Sequence, residues 1–267
     1  MLPDLDYLIR IAKKAGEILN EGYLKQHEVR HKGRIDLVTE MDGRSEEYLL
    51  GEIRRDFKDH TIVTEESGLL AGKKDSCWYI DPLDGTANYA HGVPIFSVTI
   101  AYAFQNRIIL AATVDPTRDQ CFYAERGCGA FMNGQPLYVS KTKELVDAML
   151  VTGFSISQQN RAMKNLDNFS AFLQYVQSVH RLGSAAMDMA YVAAGWMDGY
   201  WEIGINPWDI AAGTLLVEEA GGLVTDLQGN KDYFKPPYAL IAANSVLHEK
   251  MKRILQSEDA RNKPPAV

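Results

Sequence analysis

At 267 residues, 46% of them hydrophobic and 24% charged, the chain has the balance of a soluble globular protein with a sizeable core. A formal net charge of −7 provides no basic face for nucleic acid, so nucleic-acid binding is not expected. A small anionic substrate stays compatible with that charge, because bound cations invert the local potential.

No apolar run reaches bilayer-spanning length, and Asp4 and Asp6 interrupt any signal-peptide pattern. Three scattered cysteines suit neither a disulfide framework nor a zinc site. Cys77 and Cys121 lie in apolar strand-like runs and read as buried free thiols. A cytoplasmic protein with no membrane partner is expected.

Residues 4–24 place Leu5, Leu8, Ile9, Ala12, Ala15 and Leu19 at helical spacing. Asp36-Leu37-Val38-Thr39 leads into a second helical pattern through Tyr48, Leu49 and Ile53, and a short strand over 61–63 delivers Glu65 and Glu66 to its end. A polar loop from Gly68 to Ser76 precedes the strand Cys77-Trp78-Tyr79-Ile80, which Pro82 is expected to stop because it has no N–H to donate. Short β runs follow over 98–104, 108–114 and 120–124 and around Phe131; Asp115-Pro116 and Asn133-Gly134 punctuate them as an antiparallel meander.

Beyond Ala148 the pattern alternates: a strand over 150–152, a helix over 161–179, an Ala-rich helix over 184–194 and a strand over 199–203. A helix over 210–220, stopped by Gly221-Gly222, precedes a last strand over 238–243 and a last helix over 246–255, and the tail after Ser257 has nothing to bury. The alternation reads as a mixed α/β (α+β) layered architecture. An N-terminal part, 1–145, and a C-terminal part, 146–267, are joined without a low-complexity linker and are expected to pack as one body.

The most informative string is Asp81-Pro82-Leu83-Asp84-Gly85-Thr86. Two carboxylates beside backbone N–H groups and a hydroxyl at a strand end suit a hard divalent cation with a phosphate resting on it. A bare Asp-x-x-Asp-Gly is also an ordinary turn. Glu65-Glu66 alone reads as a solvated loop, Asp209 alone as a helix N-cap, Asp42 alone as a helix cap, and Glu202 alone as a strand glutamate facing solvent.

The longer string DPLDGTANYAHGVP (81–94), Trp208-Asp209-Ile210-Ala211-Ala212-Gly213 and Glu65-Glu66-Ser67 together resemble the signatures of the inositol monophosphatase family of magnesium-dependent, lithium-sensitive phosphomonoesterases. The resemblance covers nearly the whole chain. It implies a layered αβαβα sandwich of the inositol monophosphatase/fructose-1,6-bisphosphatase type, two to three Mg2+ per site, and a homodimer.

It also implies roles for particular residues. Glu65, Asp81 and the Leu83 carbonyl resemble the ligands of a first magnesium, and Asp81, Asp84 and Asp209 those of a second, with Glu66 supporting. Thr86, backed by Asp42, would orient and deprotonate a metal-activated water, and Gly85 and Thr86 would meet phosphate oxygens. The alcohol would be recognised by Asp84, the Gly183-Ser184-Ala185 backbone, Glu202 and the region around Asp209. His91 reads as structural, and His180 and Arg181 at the entrance take no role. Ala87 stands where the family often has a second threonine.

The implied reaction is hydrolysis of a small polyol phosphate, foremost inositol-1-phosphate. The alternatives are fructose-1,6-bisphosphatase or histidinol-phosphatase chemistry in the same site, or a non-catalytic, transcription-associated binding role.

Overall fold

The computed structural model describes residues 2–25, 29–31, 37–154 and 159–256. Asp36, at the start of the string that leads into the second helical pattern, and the tail after Ser257 lie outside them. The chain opens with α1 (Leu5–Gly22), capped by Asp4, whose Oδ1 accepts from Tyr7 N. A two-stranded ribbon, β1 (Val29–His31) and β2 (Leu37–Thr39), leads into α2 (Glu40–Asp56). Next come β3 (His60–Thr64), β4 (Gly68–Leu70), β5 (Lys73–Asp84) and the one-turn α3 (Thr86–Ala90).

The meander follows as β6 (Ser97–Phe104), β7 (Arg107–Asp115), β8 (Gln120–Glu125), β9 (Gly129–Met132) and β10 (Gln135–Pro136). The remainder is β11 (Met149–Thr152), α4 (Gln159–Phe172), β12 (Ser178–His180), α5 (Ala185–Ala193), β13 (Gly199–Ile203), α6 (Pro207–Glu219), β14 (Leu223–Thr225), β15 (Ala239–Ala243) and α7 (Ser245–Gln256).

Besides the β1–β2 ribbon, two larger sheets form among the described residues. One has eight strands in the order β10-β9-β8-β7-β6-β5-β3-β4, antiparallel except for the parallel pair β3–β5. The other has five in the order β12-β11-β13-β15-β14, with β12, β11 and β13 parallel. Three apolar clusters define the layers between and outside them. Leu8, Ile11 and Leu19 of α1 and Leu49 and Ile53 of α2 pack with Ile62, Trp78 and Ile100 on one face of the large sheet. Met189 and Val192 of α5 and Leu215 and Leu216 of α6 fill the space between Ala101, Ala111 and Phe122 of the large sheet and Val151, Tyr200 and Ala242 of the small one. Phe172 of α4 and Leu247 and Met251 of α7 cover Leu150, Trp201 and Ile241 on the outer face. The result is the layered αβαβα sandwich, and the central cluster draws on both halves of the chain.

Several expectations are corrected. The polar loop 68–76 contains β4 and the start of β5, which pair on either side of β3. The helix expected over 161–179 ends at Phe172, because Ser178–His180 instead pairs in parallel with 149–151 as an edge strand. Strands β1 and β14 lie in segments too short to show a period. Cys121 is buried, but Cys77 is only half-buried.

Pro82 does not end β5. Asp81 pairs with Thr99 and Asp84 with Ser97, so three steps on β5 match two on β6 and Pro82 and Leu83 stand opposite Val98 as a bulge. A missing N–H is tolerated at a bulge. In a regular strand, residues three apart point to opposite faces; the extra residue brings Asp81 and Asp84 onto one face.

Candidate active site

The strand and helix ends around this bulge converge. Asp81 and Asp84 are almost wholly buried, 2% and 8% exposed. Asp81 Oδ1 accepts from Leu83 N at 3.0 Å, which fixes the carboxylate against its own turn. Gly85 then takes φ +90°, and a Cβ there would come within 3.0 Å of Ile95 O and 3.3 Å of Gly183 O, so this turn needs glycine on two counts.

Across the site, Asp84 Oδ2 accepts from Ser184 Oγ at 2.6 Å and Ala186 N at 2.8 Å. The start of α5 therefore grips Asp84 through these two donors. Asp209 is not the N-cap of α6, as its sequence position suggested: Asn206 is the N-cap, Pro207 begins the helix, and Asp209 is its third residue, in the first turn. Its Oδ2 accepts from Asn206 N at 3.0 Å. Glu65 follows β3 directly, its N–H donating to Ile80 O at 3.3 Å, and both Glu65 and Glu66 are half-buried.

The acids feel one another. The Asp81 carboxyl is held well above the usual carboxylate range, first by burial and then by the charges of Glu65, Asp84 and Asp209. Asp209, partly open to solvent, is also raised well above that range, by burial and then by Asp84 and Glu65. Asp84 is raised by burial, while Ser184 and the backbone N–H groups of Ala186, Ala185 and Gly85 pull it back. These carboxylates thus share a small volume without being drawn into a closed cage: among the described residues no three His, Cys, Asp or Glu side chains are set as a ready ligand group.

Beside them, Thr86 Oγ1 lies 3.1 Å from Asp42 Oδ1 and 3.0 Å from Leu83 O. Asp42 also caps α2, its Oδ2 accepting from Thr39 N at 2.8 Å and Thr39 Oγ1 at 2.7 Å. Its capping role and its contact with Thr86 therefore coexist, one on each oxygen. Ala87 and His91 are exposed.

On the far side of Asp84, Glu202 is buried rather than facing solvent, and its Oε2 accepts from Tyr200 OH at 2.6 Å. Burial pushes its carboxyl up to about 7, opposed by the Tyr200 bond, with Asp84 adding repulsion and Arg181 relieving it. Asp188, on α5, is fully buried, faces the charges of Glu202 and Asp84, and keeps Oδ1 without a hydrogen-bond partner among the described residues. Gly183 and Ala185 are half-buried, and Arg181 is exposed. His180 Nε2 lies 3.1 Å from Ser178 Oγ.

A sequence model of the inositol monophosphatase family matches residues 3–260. The chain belongs to the inositol monophosphatase family. It is 42% identical over 257 residues to the Nus factor SuhB of Pasteurella multocida (strain Pm70), covering 95% of this chain and 96% of that one. The crystal structure of extragenic suppressor protein suhB from Bartonella henselae superposes with a TM-score of 0.89 at 36% identity, covering 95% of this chain and 98% of that one. The structure of inositol monophosphatase from Anabaena (Nostoc) sp. PCC 7120 does so with a TM-score of 0.84 at 40% identity, covering 94% of each chain.

Metal dependence is general in the inositol monophosphatase family, and the donor set here fits a hard cation. It is all oxygen, Asp81 and Asp84 in it are buried, and neighbouring acids raise Asp81 and Asp209; a divalent ion reverses that penalty.

One bracing residue escapes a reading of the sequence. Glu46 on α2 is buried; its Oε1 accepts from Thr64 Oγ1 at 2.6 Å and Ser67 N at 3.1 Å, and its Oε2 from Ser67 Oγ at 2.7 Å. One carboxylate thus closes the turn that carries Glu65 and Glu66. Ser45 Oγ donates to Pro82 O at 2.8 Å. Asp42, Ser45 and Glu46, one helical turn apart, therefore brace α3, the bulge and the Glu65 turn from a single helix face. The available signal was three polar residues at i, i+3 and i+4 on the side of α2 that also buries Met41 and Leu49.

Proposed function

We propose that this chain is a magnesium-dependent phosphatase that hydrolyses the phosphate monoester of a small polyol, inositol-1-phosphate being the first candidate. The observation that carries the reading is a nest of buried, mutually repelling carboxylates set beside a Thr–Asp hydroxyl pair. Glu65, Asp81 and the Leu83 carbonyl would hold one magnesium, and Asp81, Asp84 and Asp209 a second, with Asp81 shared. Bound there, the cations would supply Lewis-acid stabilisation of the charge that develops on the phosphoryl oxygens.

The chain's own groups do the rest. Asp42 Oδ1 accepts the Thr86 hydroxyl proton, which turns the Thr86 oxygen lone pairs toward an incoming water. A proton leaving that water passes to Thr86 Oγ1 as the threonine's own proton moves toward Asp42. The Gly85 and Thr86 backbone at the end of β5 faces the transferred group. Asp84, gripped by Ser184 and Ala186, stands between the phosphate side and the alcohol side, where Glu202 accepts hydroxyl donors. The Ser184–Ala186 donors are turned onto Asp84, so that backbone acts on the alcohol through Asp84.

The test is phosphate release from inositol-1-phosphate, fructose-1,6-bisphosphate and histidinol phosphate, with magnesium and after chelation, and with lithium added. Magnesium-dependent release led by the inositol ester is the expected result. No release from any ester would overturn the reading.

A second reading draws on the name of the Pasteurella relative, a Nus factor: a transcription-associated binding role, with or without catalysis. Retention of transcription-complex proteins by a catalytically dead variant would support it, and their loss from both variant and wild type would remove it.

A further inference from the structure

Glu202 owes its pose to a neighbour with no side chain. β11 and β13 run parallel with Thr152 opposite Trp201, so the next residue, Gly153, comes alongside Glu202 on the same face. A Cβ built on Gly153 would lie 2.1 Å from Glu202 Oε2, 2.6 Å from Cδ and 2.7 Å from Oε1. The carboxylate therefore occupies the space that any side chain at 153 would take. Gly153 is not one of the glycines with positive φ, so its backbone conformation is open to other residues. Space, not backbone freedom, is what demands glycine there. From the other side, Tyr200 OH donates to Oε2 at 2.6 Å. Tyr200 and Glu202 share a strand face two residues apart, and Tyr200 is fully buried, so this donor is fixed in place.

We propose that Gly153 and Tyr200 together set substrate preference: the glycine leaves room for the Glu202 carboxylate and the tyrosine pins it, so that its free lone pairs accept hydroxyls from the leaving alcohol. The class favoured is a phosphate ester whose alcohol carries neighbouring hydroxyls. Gly153 is a positioning residue here, acting only through Glu202. This inference rests on the phosphatase reading above.

The test compares kcat and KM for inositol-1-phosphate with those for p-nitrophenyl phosphate, whose leaving group has no hydroxyl for Glu202 to accept. In Gly153→Ala the colliding atoms are the tip of a flexible side chain, so the carboxylate rather than the backbone is expected to swing away. A loss of at least about 10-fold in kcat/KM for the inositol ester, carried by KM, is expected, with the aryl ester changed less than about twofold. Tyr200→Phe should shift the ratio the same way by a smaller factor, and it tests the proposal independently should the alanine variant fold poorly. Adding Gly153→Ala to Glu202→Ala should change nothing further. Equal losses on both esters, an unchanged inositol ester, or additive effects in the double variant would overturn the proposal. If the wild type hydrolysed neither these esters nor any other of the panel above, the phosphatase reading itself would fall and this inference with it; hydrolysis of the aryl ester alone would overturn only the inference.

Discussion

The two sides of the site are built from the same kind of group but obey different electrostatics. On the phosphate side, the charges of Glu65, Asp84 and Asp209 raise Asp81, those of Asp84 and Glu65 raise Asp209, and the donors that reach Asp84 are backbone N–H groups and one serine. On the alcohol side, Glu202 is fixed by one phenol, backed by bare Cα and faced by the buried Asp188. A cluster of like charges is unfavourable until positive charge arrives, so the first side is suited to binding cations. A buried acceptor held in one pose, with one lone pair committed, is suited to accepting hydroxyls. Asp84 belongs to both, since it repels Asp209 on one side and Glu202 on the other.

The sharpest way to break that division is to remove a charge from the phosphate side. Asp84→Asn or Asp209→Asn should lower turnover by on the order of 10³-fold while leaving circular dichroism and the melting transition near wild type. The fold should survive because each change relieves repulsion among buried acids. Near-normal kcat in both variants would show that the cluster is not where the chemistry happens.

A smaller effect is expected one layer out. Glu46→Gln keeps the length of the side chain but turns an amide N–H2, itself a donor, toward Thr64 and Ser67 groups that in the wild type donate to a carboxylate oxygen. The Glu65 turn should loosen, and Mn2+ affinity, followed by electron paramagnetic resonance, should weaken by roughly 10- to 100-fold, as when outer-shell partners of metal ligands are changed. Unchanged Mn2+ binding in Glu46→Gln, alongside binding lost in Asp209→Asn, would reduce Glu46 to a structural clasp.

The phosphate side was legible in the sequence because each of its parts is contiguous: an acid and the turn that aims it fall within a few residues, as in 81–86, 65–67 and 206–209. Even so, the aim was read wrongly twice. Pro82 suggested a strand end where the chain makes a bulge, and Asp209 suggested an N-cap where Asn206 takes that role. Both errors leave the carboxylate in the site, because bulge and capping box alike fix direction through local hydrogen bonds. The alcohol side was much less legible. Gly153 and Glu202 meet only through the parallel pairing of strands separated by two helices and an edge strand, and nothing near residue 153 in the sequence announces a carboxylate above it. Glu46 was hidden for a different reason: a glutamate on a charged helix reads as solvated unless the buried face of that helix is already known.

The last expectation concerns stability with the site left alone, and so separates frame from chemistry. His248, on α7, is buried, its Nε2 lies 2.9 Å from Thr225 Oγ1, and burial lowers its pKa from 6.5 to about 4, with Lys252 adding to the shift. Above pH 6.5 the imidazole is neutral in both folded and unfolded chains, so it contributes no pH dependence there. As pH falls from 6.5 toward 4 the unfolded chain takes up a proton that the folded chain refuses, and stability drops by about 3 kcal/mol across that window. His248→Gln keeps a partner for Thr225 but cannot titrate. Denaturant melts between pH 7 and 4 should therefore show a shallower acid slope in the variant, while turnover at neutral pH stays unchanged because the outer layer of α7 touches neither side of the site. An acid slope identical to wild type would assign that loss of stability to other groups, with the buried carboxylates of the site excluded by their direction: acids with raised pKa values favour the folded chain as pH falls.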